Sequence, residues 1–225
     1  MESIGIVSAT RATQADFWEK SPLGVSLRRL SRDTRLNACI AFENRRGLPD
    51  VYNEAIHAEF AHDYLVFVHD DVWIQDLFFC EQVIAGCEVF DVIGVAGNRA
   101  RSPGQVSWAF LSSLSWDDGP NLSGRLGFGD QPFGDIGFFG SVPAPCELLD
   151  GVFLAAKKSI LRRQKVQFDP RFDFDFYDMD FCRSARACGL RLGTWTISMS
   201  HCSGGTYGSQ RWIDSHQRYI AKWGE

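Results

Sequence analysis

Two hydrophobic patterns take turns along the first hundred residues: short unbroken apolar runs, and longer stretches with apolar positions at helical spacing. Tyr64-Leu65-Val66-Phe67-Val68 is rich in Val and aromatics and predicts a central strand. Ile4 to Ser8, Leu36 to Phe42 and Val92 to Ala96 predict further strands. Thr13-Gln14-Ala15-Asp16 reads as a helix start, and Ser21-Pro22 as another, because proline fits a first helical turn. Asp50 to Ala61 puts Tyr52, Ile56 and Phe60 on one helical face, and Leu77 to Phe90 predicts another helix. This βαβαβαβ order predicts a mainly parallel sheet with right-handed crossovers.

The pattern lapses from about Gly97 to Pro145, a glycine- and proline-rich stretch holding Trp108, Trp116, Phe128, Phe133, Phe138 and Phe139. A long aperiodic segment is functional or disordered, and the aromatics argue against disorder. Patterning resumes at Leu148 to Ala155. Asp178 to Cys188 predicts a helix stopped by Gly189, Leu190 to Ile197 a strand, and Ser209 to Trp223 a closing helix. No internal repeat stands out.

Composition narrows the class. At 225 residues with 45% hydrophobic and 23% charged residues, the chain has the make-up of a soluble globular α/β protein. A net charge of −5 offers no basic field for nucleic acid or an anionic membrane. No apolar run approaches the ~20 residues of a membrane span, and Met1-Glu2-Ser3-Ile4 enters a strand without a basic leader. The seven cysteines form no Cys-x-x-Cys pair, which weakens zinc and redox readings. Small core cysteines in a reducing, cytoplasmic compartment are the expectation.

Four clusters carry chemistry. His69-Asp70-Asp71 ends the central strand, where open α/β sheets place their ligands. Two adjacent carboxylates there suit a hard divalent cation holding a phosphate, although Asp-Asp is also ordinary turn chemistry. Asp150-Gly151 sets an acid beside a residue that lets backbone approach a ligand, or is simply a tight turn. Tyr177-Asp178-Met179-Asp180 puts acids at a helix start, where the dipole favours them with or without chemistry. His201-Cys202-Ser203-Gly204-Gly205-Thr206 runs from a strand end into a Gly-rich loop without the lysine or spacing of a Walker loop.

Their order along the chain resembles the GT-A glycosyltransferases, most closely glycosyltransferase family 2. Asn44-Arg45-Arg46-Gly47-Leu48 with Tyr52-Asn53-Glu54-Ala55 is similar to the family's segment before the metal motif. Phe67-Val68-His69-Asp70-Asp71-Val72 resembles the strand ending in its DxD signature, and Leu149-Asp150-Gly151 its acceptor-side strand. Tyr177-Asp178-Met179-Asp180, then Arg183 and Gly189, is similar to Glu-Asp-x-Asp followed by Arg and Gly. Three positions depart from the pattern. His69 and Tyr177 stand where the family has acids, and Ala9-Thr10-Arg11 replaces its Pro-x-Tyr-Asn.

The resemblance implies a single GT-A domain over 1–225, a mixed, mostly parallel sheet flanked by helices. Residues 1–96 would form the nucleotide-binding half and 97–225 the acceptor half. It implies sugar transfer from a nucleoside-diphosphate sugar, UDP-linked by preference, to a glycan or other hydroxyl acceptor. Asp71, His201 and Asp70 would hold Mn²⁺ or Mg²⁺, the imidazole favouring Mn²⁺. Asp178 would be the general base of an inverting displacement. Asn44, Arg46, Asn53, Asp70, Thr10 and Arg11 would face the donor, with Arg99 and Arg101 as further diphosphate partners. Asp150, Gly151, Tyr177, Asp180, Trp108 and Trp116 would face the acceptor, although the two tryptophans could equally close a satellite core. Two alternatives remain: a non-catalytic nucleotide-sugar or glycan-binding module of the same fold, and a sugar nucleotidyltransferase.

Overall fold

The computed structural model describes residues 2–59, 62–112, 115–117, 119–202 and 207–225. The chain runs β1 (Ile4–Ala9), α1 (Gln14–Lys20), α2 (Pro22–Arg29), β2 (Leu36–Ala41), α3 (Leu48–His57), β3 (Tyr64–Val68), β4 (Val72–Ile74), α4 (Phe79–Val89), β5 (Val92–Gly94) and β6 (Ala96–Asn98). It continues through β7 (Phe110–Ser112), β8 (Ser115–Trp116), β9 (Leu122–Phe128), β10 (Asp135–Gly140), β11 (Ala144–Cys146), β12 (Leu148–Leu149) and β13 (Phe153–Lys157). It closes with α5 (Lys158–Gln164), α6 (Tyr177–Ala187), β14 (Leu192–Thr194), β15 (Met199–His201) and α7 (Gln210–Trp223).

A seven-stranded sheet of order β11-β14-β5-β13-β3-β1-β2 forms the centre. β1 lies parallel to β2 and β3, pairing Ile4 with Leu36 and with Tyr64. β13 is antiparallel to both β3 and β5, so β1, β2, β3, β5 and β14 share one direction while β13 and β11 oppose it. The sheet is mixed with mostly parallel strands, as expected. β3 is apolar at every position because both its faces are covered. Leu65 and Phe67 share one core cluster with Tyr52 of α3, Leu161 of α5, Phe181 of α6 and Tyr219 of α7. Tyr64, Val66 and Val68 belong to the cluster on the other face, with Phe17 of α1, Leu23 of α2 and Val83 of α4.

Local chemistry sets the helix ends. Thr13 accepts from the N–H of Asp16, Ser21 from Gly24 and Ser209 from Trp212, each satisfying an otherwise unpaired first-turn donor. Pro49 in the first turn starts α3 earlier than the sequence suggested, and α3 ends at His57; Phe60 and Ala61 lie outside the described residues. Gly189, at φ +81°, follows α6 as its left-handed stop.

Two expectations are corrected. Val92 to Ala96 is not one strand, because the ladder breaks at Val95 and β6 passes into a second sheet. The aperiodic stretch from Gly97 to Pro145, whose aromatics argued against disorder, contains regular structure among its described residues. It supplies strands of this six-stranded sheet, ordered β12-β6-β9-β15-β4 with β10 beside β9. Its strands are short and interrupted by glycine, so period-2 alternation hardly develops. At Gly124, φ +117°, a Cβ would lie 2.2 Å from the Val95 carbonyl oxygen. Leu190 to Ile197 likewise contains only the three residues of β14.

β4 and β6 start just beyond the carboxyl ends of β3 and β5, so the two sheets meet where His69-Asp70-Asp71 emerges. The seven cysteines are free thiols, and Cys80, Cys87, Cys146 and Cys182 are buried. Among the described residues, no helix is long and apolar enough to cross a membrane.

Candidate active site

The central strand delivers the first cluster. After Val68, the His69 N–H donates to the Val152 carbonyl, and Asp71 leads into β4. β15 pairs antiparallel with β4, matching His201 to Val72, and this register brings the His201 ring against Asp71. His201 Nε2 lies 3.2 Å from Asp71 Oδ1. Burial alone would lower the His201 pKa, but the hydrogen bond and charge of Asp71 outweigh it and raise the pKa. Asp70 is raised by burial and by its like-charged neighbour, against a hydrogen bond from Thr10.

His69 completes a group. His69, Asp71 and His201 each bring one ligand atom within 4.8 Å of the others, a convergence that suits a metal ion. The His69 ring stacks on Phe174 at 5.8 Å and lies 5.6 Å from the His201 ring. Burial first, and the nearby His201 second, push its pKa down to about 4, which keeps it neutral and able to ligate.

The second cluster forms where the turn into β13 meets the start of α6. Asp178 accepts from the Gly151 N–H through Oδ2 at 2.9 Å, and from the Met179 N–H through Oδ1 at 2.8 Å. Tyr177 donates its phenolic proton to the Gly151 carbonyl at 2.7 Å. Gly151 permits these contacts, since a Cβ there would sit 2.4 Å from the Tyr177 hydroxyl and 2.8 Å from the Asp178 Cβ. Phe176 enters α6 at φ +67°, a conformation costly for a bulky residue, held by packing against Trp212 and Tyr219. Burial, then the Asp150 carboxylate, raise the Asp178 pKa to about 7, against the backbone donors that favour its charged form. Burial also raises Asp150, whose Oδ1 accepts from the Val152 N–H at 2.9 Å.

Two clefts flank these groups. One cavity of about 240 Å³ is lined by His69, Trp108, Asp150, Gly151 and Asp178. A second, about 310 Å³, opens at the carboxyl ends of β1 and β2 and is lined by Thr10, Arg11, Asn44, Arg46, Asp70 and Arg211. Phe174 lines both, so they adjoin across one aromatic ring.

No family model matches the chain, and no curated protein matches it in sequence. Solved structures match in shape. GalNAc-T7 crystallised with UDP, GalNAc and Mn²⁺ aligns at TM-score 0.55 and 9% identity, over 97% of this chain and 48% of that one. Residues 1–349 of TarS from S. aureus align at TM-score 0.51 and 10% identity, over 98% and 64%. The catalytic domain of Drosophila β1,4-galactosyltransferase 7, complexed with xylobiose, aligns at TM-score 0.50 and 12% identity, over 96% and 80%. The fold is that of the GT-A glycosyltransferases. The chain spans about half the length of the GalNAc-T7 chain and under two thirds of the TarS chain.

Within this GT-A fold, most residues singled out from sequence converge. Asp70, Asp71, Asp150, Gly151, Tyr177, Asp178, His201 and Trp108 gather at the junction of the sheets, and Thr10, Arg11, Asn44 and Arg46 border the adjoining cleft. Others fall elsewhere. Asn53 bonds the Phe168 backbone in both directions, at 2.8 and 2.9 Å, tying α3 to a loop rather than facing the cleft. Asp180 is fully buried against α7, 2.7 Å from Lys222 Nζ and 2.9 Å from Trp223 Nε1, so it anchors a helix instead of meeting an acceptor. Trp116 is 54% exposed and stacks on Phe139 outside the cavity lining. Arg99 lines a separate cavity, and Arg101 pairs with Glu225 at 2.6 Å. Ser203 to Thr206 of the Gly-rich loop lie outside the described residues.

Three participants were missed. His69, named in the first cluster, was given no ligand role, although a histidine two positions from a candidate metal-binding carboxylate is itself a ligand type. Phe174 and Arg211 line the cleft at the carboxyl ends of β1 and β2 from segments far along the chain, and no local sequence signal marks them.

Proposed function

We propose that the chain is a metal-dependent, inverting glycosyltransferase that uses a nucleoside-diphosphate sugar, with a UDP-sugar as the favoured donor. The observation carrying this reading is the carboxylate of Asp178, raised to about 7 on a cavity wall shared with His69 of the candidate metal group. The ligands of two structural neighbours are consistent with it: GalNAc-T7 was crystallised with UDP, GalNAc and Mn²⁺, and β1,4-galactosyltransferase 7 with xylobiose. A carboxylate poised near neutrality on the cavity wall favours proton transfer over binding alone, and among the described residues neither cleft is lined by a Gly-rich basic loop suited to nucleotidyl transfer.

In the proposed reaction, the acceptor oxygen attacks the anomeric carbon as the bond to the diphosphate oxygen breaks. Asp178 takes the hydroxyl proton, and the nucleoside diphosphate leaves with the bonding electrons. One displacement inverts the anomeric centre. Asp71, His201 and His69 would hold a divalent ion, which supplies positive charge to the departing diphosphate. Arg11 adds positive charge along the donor cleft, beside Arg46, which pairs with Glu54, and Arg211, which pairs with Asp173 and Asp175, with Thr10 and Asn44 as hydrogen-bonding groups. Trp108 offers a flat apolar face to an acceptor in the 240 Å³ cavity. Residues 1–225 act here as one unit: the first half supplies most of the donor cleft, which Phe174 and Arg211 complete, and the second half supplies most of the acceptor cavity, to which His69 is added.

Calorimetric titration of UDP and of GDP, with and without Mn²⁺, tests this on wild type and Asp71→Ala. Metal-dependent binding of one nucleotide, lost in the variant, is the expected result. No binding of either nucleotide in the presence of metal overturns the donor-site reading.

A further inference from the structure

We infer that Tyr177 is a positioning residue: it fixes the tautomer of His69 so that Nδ1 serves as a third metal ligand beside Asp71 and His201. This selects a transition-metal ion such as Mn²⁺ over Mg²⁺. The inference rests on the metal-dependent reading above and specifies its ligand set.

The argument is proton counting. A phenol has one proton to give. The Tyr177 oxygen lies 2.7 Å from the Gly151 carbonyl oxygen, which can only accept, so the proton points there. The same phenolic oxygen lies 2.8 Å from His69 Nε2, and with its proton already committed it must accept in that contact. Nε2 therefore carries the imidazole hydrogen, and a neutral ring protonated at Nε2 presents its lone pair at Nδ1. Among the described residues, no hydrogen bond reaches Nδ1.

The surroundings hold this relay in place. Tyr177 is 3% exposed and wedged against Tyr52 and Phe168, and the absence of a Cβ on Gly151 lets the hydroxyl reach the carbonyl. Phe174 stacks on the imidazole with 25° between the planes, restricting rotation of the ring. A ligating histidine whose other nitrogen donates to a fixed acceptor is the usual way a second layer orients a metal ligand. Here a tyrosine hydroxyl is that acceptor. Two imidazoles with one carboxylate suit a transition-metal ion, whereas Mg²⁺ prefers oxygen ligands.

Two measurements test the inference. The first records histidine ¹⁵N NMR spectra of the metal-free wild-type protein, with His69→Gln used for assignment. An Nε2–H tautomer at His69 is expected, and an Nδ1–H tautomer overturns the inference without bearing on the transferase reading. The second titrates Mn²⁺ and Mg²⁺ alone, without nucleotide, into wild type, Tyr177→Phe and His69→Ala. Tyr177→Phe keeps the volume of the side chain and should weaken Mn²⁺ binding by ~10–100-fold, the usual cost of losing a second-layer partner, while leaving Mg²⁺ binding unchanged. Equal Mn²⁺ affinity in Tyr177→Phe and wild type overturns the positioning role while the metal-dependent reading stands. Failure of wild type to bind Mn²⁺ at all overturns both.

Discussion

The backbone N–H of Gly151 donates to Oδ2 of Asp178 across 2.9 Å, joining the turn before β13 to the first turn of α6. This bond aims the carboxylate while leaving it on the cavity wall. Asp178→Asn keeps the size of the side chain but removes its basicity. Turnover should fall by ~10²–10⁴-fold, the typical contribution of general-base assistance, with donor affinity unchanged. Steady-state kinetics beside calorimetry of the donor checks this, and near-normal turnover in a folded variant removes Asp178 from the role of base.

The pKa of about 7 sets a pH dependence, because only the ionised carboxylate accepts a proton. Rising pH should therefore increase kcat/KM through an apparent pKa near 7, and a profile flat down to pH 5 contradicts the assignment. Stability runs the other way. The folded pKa lies above the ordinary value of 3.8, so between about pH 4 and pH 7 the folded state holds the proton more tightly than the unfolded chain. The contribution of this group to stability is full below pH 4 and is lost as pH rises through 7. Asp178→Asn should therefore gain stability relative to wild type between pH 5 and pH 8, measured as the difference in denaturant midpoints. A pH-independent difference contradicts the raised pKa.

Gly151→Ala places a methyl group 2.4 Å from the Tyr177 hydroxyl, within a shell that also holds the Asp178 Cβ at 2.8 Å. Overpacking of this kind costs ~1–3 kcal/mol, and it should displace the phenol and the carboxylate together. Thermal melting should fall, and kcat should drop with little change in donor KM. Wild-type kcat would show that the close approach at Gly151 is not needed for turnover.

Where the sequence was readable, the determinant was local. β3 declared itself by five apolar residues, and α6 by its acidic start and the stop at Gly189. The cluster at Asp71, Asp178 and His201 followed from the family's order of motifs. What the sequence hid depends on distant partners. Asn53 has the composition of a donor contact, yet its partner Phe168 is 115 residues away. Asp180 reads like Asp178 two positions earlier. Two helical steps, about 200° around α6, turn it toward Lys222 and Trp223 of α7, which only the packing of the closing helix decides. The second sheet was hidden because strands as short as β6 and β12, of three and two residues, are defined by their partners rather than by any pattern of their own.

The place of β13 in the sheet order constrains synthesis of the protein as well as its chemistry. β3 and β5 are complete by residue 94, yet they do not touch each other. β13, ending at Lys157, lies between them and pairs with both. As the chain leaves the ribosome, the early strands wait some sixty residues, about the distance from Gly94 to Lys157, for the strand that bridges them. A fragment ending at residue 96 should accordingly remain unfolded by circular dichroism, and a folded one would mean that β3 and β5 find another arrangement. During that interval the edges of β3 and β5 that β13 will cover have no partner, and unpaired strand edges are the surfaces through which partly folded chains aggregate.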